Sequence, residues 1–130
     1  MSVAILLITH DGLGRPLIAV AERMLGGLPL PVAALDVPFD ADPEAMLVAA
    51  SGAMRRIDQG DGVLILSDLY GATPANIARR AAFLGSPVRR VAGLSLPMLL
   101  RALNYPDLDL ESMAMVAATG ARQGVIADDA

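Results

Sequence analysis

His10 is the only histidine in the chain, and it follows the apolar run Val3 to Thr9. Asp68 follows a second apolar run, Gly62 to Ser67, and leads through Leu69-Tyr70 into Gly71-Ala72-Thr73-Pro74. A neutral imidazole is a nucleophile through one ring nitrogen while the other donates a hydrogen bond. A carboxylate that accepts that bond fixes the tautomer and stabilises positive charge developing on the ring. Thr73-Pro74 is a cap-and-proline pattern that opens a helix, and the N–H groups of a helix start form a site for phosphate. Together these groups suggest a phosphohistidine, with His10 and Asp68 doing the chemistry and Thr9, Gly71, Ala72 and Thr73 as candidate phosphate-binding residues. On spacing alone, plainer assignments stay open. A histidine after a strand also serves as a turn residue, a strand-end aspartate as a cap or Asx-turn former, and Met98 as core or interface packing.

The pair can meet only if the elements carrying it are neighbours. Val3 to Thr9, Gly62 to Ser67 and Val88 to Gly93 are continuous apolar runs, as expected of buried strands in a parallel sheet, and Val32 to Val37 supplies a weaker fourth. Helical signals fall between them. Pro16 suits the first helical position of a segment ending at Gly26-Gly27, and Asp42-Pro43-Glu44 caps a helix running to about Gln59. Thr73-Pro74 opens one ending near Gly85, another begins around Leu96-Pro97, and the last covers about Asp109 to Ala118. The order βαβαβαβαα implies an α/β three-layer sandwich. In a flavodoxin-like sheet of order 2-1-3-4 the ligand crevice lies where the order reverses, beyond the carboxyl ends of strands 1 and 3. Those ends carry His10 and Asp68. Val88 to Gly93 becomes an edge strand, and Gly124-Val125-Ile126-Ala127 is expected to extend along that edge, its own or a partner's. Asn104 to Asp109 reads as a turn and Asp128-Asp129-Ala130 as a frayed tail.

Composition removes several classes. The 130 residues suit a single domain, residues 1–130, and at 55% hydrophobic and 18% charged the chain is not intrinsically disordered. Without cysteine there is no disulfide or thiolate site, and one histidine excludes a multi-histidine metal centre. A net charge of −4 has the wrong sign for coating nucleic acid. All ten basic residues are arginine, so a P-loop lysine is absent, and Leu17 breaks the glycine fingerprint begun by Gly12 and Gly14. No apolar stretch approaches the roughly 20 residues of a membrane span, which makes a soluble cytoplasmic protein the expectation.

Three segments resemble a known family. Ile8-Thr9-His10, Ser67-Asp68-Leu69-Tyr70-Gly71-Ala72-Thr73-Pro74-Ala75-Asn76 and Val91-Ala92-Gly93-Leu94-Ser95-Leu96-Pro97-Met98-Leu99 are similar to signatures of the mannose-family enzyme IIA domain. That domain belongs to the bacterial phosphoenolpyruvate:sugar phosphotransferase system (PTS). The likeness extends over essentially the whole chain, through Thr119 to Val125. It implies a flavodoxin-like fold, a homodimer, and a histidine that takes a phosphoryl group from the phosphocarrier protein HPr and passes it to an enzyme IIB, with no metal or nucleotide cofactor. Carried over by position, His10 is the phosphorylated residue, Asp68 the carboxylate that orients it and Thr73 the hydroxyl beside the phosphate. Leu13, Leu69, Tyr70, Leu96 and Met98 would dock partners, and any membrane association would be peripheral, through a permease complex. In the family's better-known dimers a C-terminal strand is exchanged between subunits. Two positions depart from the pattern: Asp11 stands where many members have glycine, and Ser95 where the third motif commonly has asparagine. With the chain ending at residue 130, a fused IIB domain is not expected. The alternatives are a regulatory protein signalling by phosphorylation state, the phosphotransferase subunit serving dihydroxyacetone kinase, and a flavodoxin-type small-ligand domain without covalent chemistry.

Overall fold

The computed structural model describes residues 2–128. Four strands, β1 (Ala4–His10), β2 (Val32–Val37), β3 (Val63–Ser67) and β4 (Val88–Ala92), form an all-parallel sheet of order β2-β1-β3-β4, the order expected from the sequence. Five helices connect and follow them: α1 (Gly14–Leu25), α2 (Pro43–Ile57), α3 (Thr73–Ala81), α4 (Leu96–Leu103) and α5 (Leu110–Gln123). Side chains alternate across a strand, so β1 feeds two cores. Ile5 and Leu7 pack with Leu64 and Leu66 of β3 against α1, α4 and α5, while Ala4, Leu6 and Ile8 pack with Val63 and Ile65 against α2 and α3. Each fully buried Leu or Ile contributes roughly 1.5–3 kcal/mol relative to exposure, which makes the ends of β1 and β3 a rigid platform.

The flanking strands differ from the central pair. β2 is only partly buried, and β4, read as an apolar buried run, exposes Arg89 and Arg90 at the sheet edge. Helix ends also shift. α1 starts at Gly14, so Pro16 sits third in the helix, where its missing N–H is still among the first four that lack a helical partner. α2 stops at Ile57 and α3 at Ala81, short of Gln59 and Gly85. Asp42 caps as expected, its side chain accepting the N–H of Glu44, and Ser95 and Asp109 cap α4 and α5 in the same way through the N–H groups of Met98 and Ser112.

The largest difference is at the C-terminus. α5 does not end near Ala118 but continues to Gln123, with the Gly124 N–H bonded to the Gly120 carbonyl at 2.9 Å. Gly120 packs on the side chain of Arg101 in α4 and Gly124 on Pro97, both too closely for a Cβ. Residues 125–128 follow in irregular conformation, so among the described residues no C-terminal strand lies along β4 of the same chain. The tail expected to fray falls at Asp128 within the described residues and otherwise outside them. No helix among the described residues is long and apolar enough to cross a membrane.

Candidate functional site

Parallel pairing of β1 with β3 sets Ile8 opposite Ser67, so the next residues along, Thr9-His10 and Asp68, emerge side by side. His10 donates twice to one carboxylate oxygen: its backbone N–H lies 3.1 Å and its ring Nδ1 2.6 Å from Asp68 Oδ2. A carboxylate can only accept, so the proton sits on Nδ1 and the lone pair on Nε2. The side chains are 25% and 13% exposed, leaving the ring open at one edge. Burial pushes the Asp68 carboxyl up, but the hydrogen bonds from the His10 ring and backbone outweigh it and hold the carboxyl below its ordinary value. Asp68 is therefore an anion fixed against the imidazole, suited to stabilise positive charge on it.

The other sequence-derived candidates divide. Gly71 has φ +84°, a left-handed conformation that turns the chain from β3 into α3. Thr73 is not the helix cap: it is the first helical residue, Ala72 is the N-cap, and no side chain caps this end. Pro74 thus takes the second helical position, and the Thr73 hydroxyl is exposed and uncommitted. The Ala72 N–H is occupied by the Leu69 carbonyl at 3.3 Å, which leaves the Gly71 and Thr73 N–H groups without a backbone partner. Thr9, expected among the phosphate-binding residues, is fully buried, and its hydroxyl donates to the His10 carbonyl at 2.8 Å. Its part is to hold the histidine's backbone. Met98, expected on the docking rim, is 1% exposed and belongs to the core beneath α4, whereas Leu13, Leu69 and Tyr70 are exposed.

Two residues near His10 escaped the sequence reading. Phe39, just past β2, holds its ring 5.3 Å from the imidazole at 30° although the side chain is 90% exposed. Asp36, opposite Thr9 in the sheet register, accepts the Gly12 N–H at 3.3 Å and tethers the His10–Gly12 turn. Each left a signal: Asp36 is the one acid in an apolar strand, and Phe39 follows a strand adjacent to β1 in the expected order. Asp36 Oδ1 and Asp68 Oδ1 are both buried without a hydrogen-bond partner among the described residues. Asp11 is exposed and unpaired.

A doubly wound parallel sheet with a carboxylate-oriented histidine at its switch point defines the architectural class. Residues 4–119 match the family described as the PTS system fructose IIA component, EIIA-man, and the chain belongs to that family. It is 30% identical over 128 residues to the PTS system mannose-specific EIIAB component of Escherichia coli (strain K12), spanning 96% of this chain but only 39% of that one. It is 28% identical over 115 residues to the transcriptional regulatory protein LevR of Bacillus subtilis (strain 168), spanning 85% of this chain and 12% of LevR. Among solved structures, the mannose/sorbose specific IIA subunit from Enterococcus faecalis superposes with a TM-score of 0.88 at 22% identity, covering 100% of this chain and 97% of that one. The phosphotransferase system component EIIA from Streptococcus agalactiae gives 0.80 at 19%, covering 98% and 97%. These two likenesses concern the fold.

Proposed function

We propose that this chain is a cytoplasmic phosphoryl carrier of the phosphotransferase system, a single IIA domain that accepts phosphate from HPr on His10 and passes it to an enzyme IIB. The observation that carries this reading is the 2.6 Å contact between His10 Nδ1 and Asp68 Oδ2, which presents Nε2 as the nucleophile. In the transfer, Nε2 attacks phosphorus in line with the phosphorus–nitrogen bond of the donor phosphohistidine. A new nitrogen–phosphorus bond forms as that bond breaks, and the donor imidazole leaves with its electron pair. The His10 ring, now phosphorylated on Nε2 and protonated on Nδ1, is held cationic by Asp68. The Gly71 and Thr73 N–H groups and the Thr73 hydroxyl receive the phosphoryl oxygens. Transfer onward runs the same steps in reverse toward the IIB acceptor.

Incubation with phosphoenolpyruvate, enzyme I and HPr should introduce one acid-labile, base-stable phosphate, and His10→Ala should abolish it while the fold survives. Labelling of the alanine variant on another residue would overturn the carrier reading. In the same reading the protein is a homodimer: β4 offers an open edge, and Val125 and Ile126 are exposed after α5. Light scattering giving a mass near 13.5 kDa would reject the dimer.

The match to LevR favours a second reading, in which the phosphorylation state of His10 is itself the signal. Adding a dianion to the imidazole beside Asp68 makes the crevice more strongly negative and so changes which partner surface it accepts. The discriminating measurement is whether phosphate leaves the labelled protein for an enzyme IIB. Rapid loss supports transport, and a phosphoprotein stable to IIB supports signalling.

A further inference from the structure

Between α3 and the outer strand β4 lies a cavity of about 380 Å³, lined by Ser67, Tyr70, Asn76, Arg79 and Arg90 over small residues. Of the residues assigned to the phosphoryl group only Gly71 lines it, and none of Thr9, His10, Asp68 or Thr73 does, so the cavity adjoins the crevice through the Tyr70–Gly71 turn and opens away from the imidazole. Strand alternation explains why Arg90 faces it. Val88 packs on the α2 and α3 side and Val91 on the opposite side, which places Arg90 with α3 and turns Arg89 away. The charge pattern is unusual for a chain of net charge −4. Arg80 is neutralised by Glu44 at 2.8 Å, but among the described residues neither Arg79 nor Arg90 has a carboxylate partner, and no acidic residue lines the cavity. Two unpaired guanidinium groups on one concave surface repel each other and concentrate positive potential there. Ser67, on the same strand face as Val63 and Ile65, is only 4% exposed, and it places a hydroxyl-bearing side chain in the cavity lining beside the two arginines.

We propose that this cavity binds a small organic dianion, a phosphate ester or a dicarboxylate, held between the Arg79 and Arg90 guanidinium groups with the Ser67 hydroxyl donating at its base. Planar guanidinium forks match carboxylate and phosphate oxygens, and the volume suits a metabolite rather than a macromolecule. The site stands independently of the phosphoryl-carrier reading. The test is titration of the isotopically labelled full chain at low ionic strength, followed by amide NMR, with glucose 6-phosphate and with succinate as probes. At least one probe should shift the Ser67, Asn76 and Arg90 amides saturably, with Arg79→Ala or Arg90→Ala each weakening binding roughly tenfold or more. Arg89→Ala, on the other face of the same strand, should bind as the parent chain does, and so should His10→Ala. Failure of both probes to saturate would overturn the proposal. So would equal weakening by Arg89→Ala, or shifts that are confined to Gly71–Thr73 and vanish in His10→Ala.

Discussion

The two central strands and the two flanking ones deliver their end residues in different ways. β1 and β3 are buried along nearly their whole length; β1 ends in His10 and β3 leads directly into Asp68. The flanking strands are partly exposed, and β2 leads into Phe39, whose ring touches the imidazole from a solvent-exposed loop. A hydrogen bond built on two packed strands is pre-organised, and its loss exposes the chemistry to the full cost of misorientation. A contact reaching in from an edge loop modulates what the central pair has already set. The expected consequences of substitution therefore fall in a gradient from the centre of the sheet outward.

Asp68→Asn strikes the centre. The amide can no longer act as an anion against a developing imidazolium, and its NH₂ can oppose the required tautomer. Phosphorylation by HPr should slow on the order of 10²-fold, measured by quench-flow with labelled phosphoenolpyruvate. A parent-like rate would reduce Asp68 to a turn former. The same substitution has a signature in acid. In the folded chain Asp68 lies below the ordinary value of 3.8, as do Asp58, chiefly through the Gly60 N–H, and Asp109, chiefly through the Ser112 N–H. The unfolded chain takes up these protons first as pH falls, so stabilisation present above about 3.8 is lost as pH drops through the folded values. Urea midpoints compared at neutral pH and below pH 4 should fall, and the fall should be shallower in Asp68→Asn, with the Asp58 and Asp109 shares remaining. Identical slopes in the two proteins would show that Asp68 carries no linkage.

The central region was legible from residues alone, because the short apolar runs Val3 to Thr9 and Gly62 to Ser67, bounded by turn residues, fit covered strands and their order places His10 beside Asp68. What escaped depends on contacts between distant residues or on one-residue offsets at helix ends. Thr73-Pro74 reads as a cap followed by a first-position proline, yet proline is tolerated throughout the first turn, and the chain places both residues inside the helix. The last helix is expected to end near Ala118, but the missing Cβ of Gly120 lets α5 pass against Arg101, and the continued helix runs up to Gly124, where a strand is expected to start. Phe39 is invisible to periodicity because it lies in a loop, and only the neighbouring β2 end brings it to His10.

That loop contact gives the next step down the gradient. An aromatic ring at 5.3 Å contributes about 0.5–1.5 kcal/mol, more when its partner is cationic. Phe39→Ala should therefore slow phosphorylation roughly 2- to 10-fold, and Phe39→Tyr should restore it. A ring-current shift on the His10 carbon-bound protons, present in the parent and lost in the alanine variant, separates a contact with the ring from a role in folding. An unchanged His10 spectrum would remove Phe39 from the site.

Asp11 marks the outer limit. It adjoins His10 in sequence, but it is exposed and makes no hydrogen bond or ion pair, so water and salt screen its charge from an approaching phosphoryl group. Exposed charge interactions are typically worth about 0.2–1 kcal/mol, which sets the expected gain for Asp11→Asn at roughly 1.5- to 5-fold in the rate of phosphorylation by HPr. Because the effect is one of like-charge repulsion, it should appear as tighter donor engagement rather than a faster chemical step. It should also shrink as ionic strength rises and the Debye length falls from about 30 Å at 0.01 M to 8 Å at 0.15 M. A gain that persists undiminished in high salt would mean that Asp11 acts by shaping the turn between His10 and Gly12. That turn already relies on a left-handed glycine at φ +90° and on the tether from Gly12 to Asp36, and the comparison would then extend from charge to backbone geometry at the edge of the same crevice.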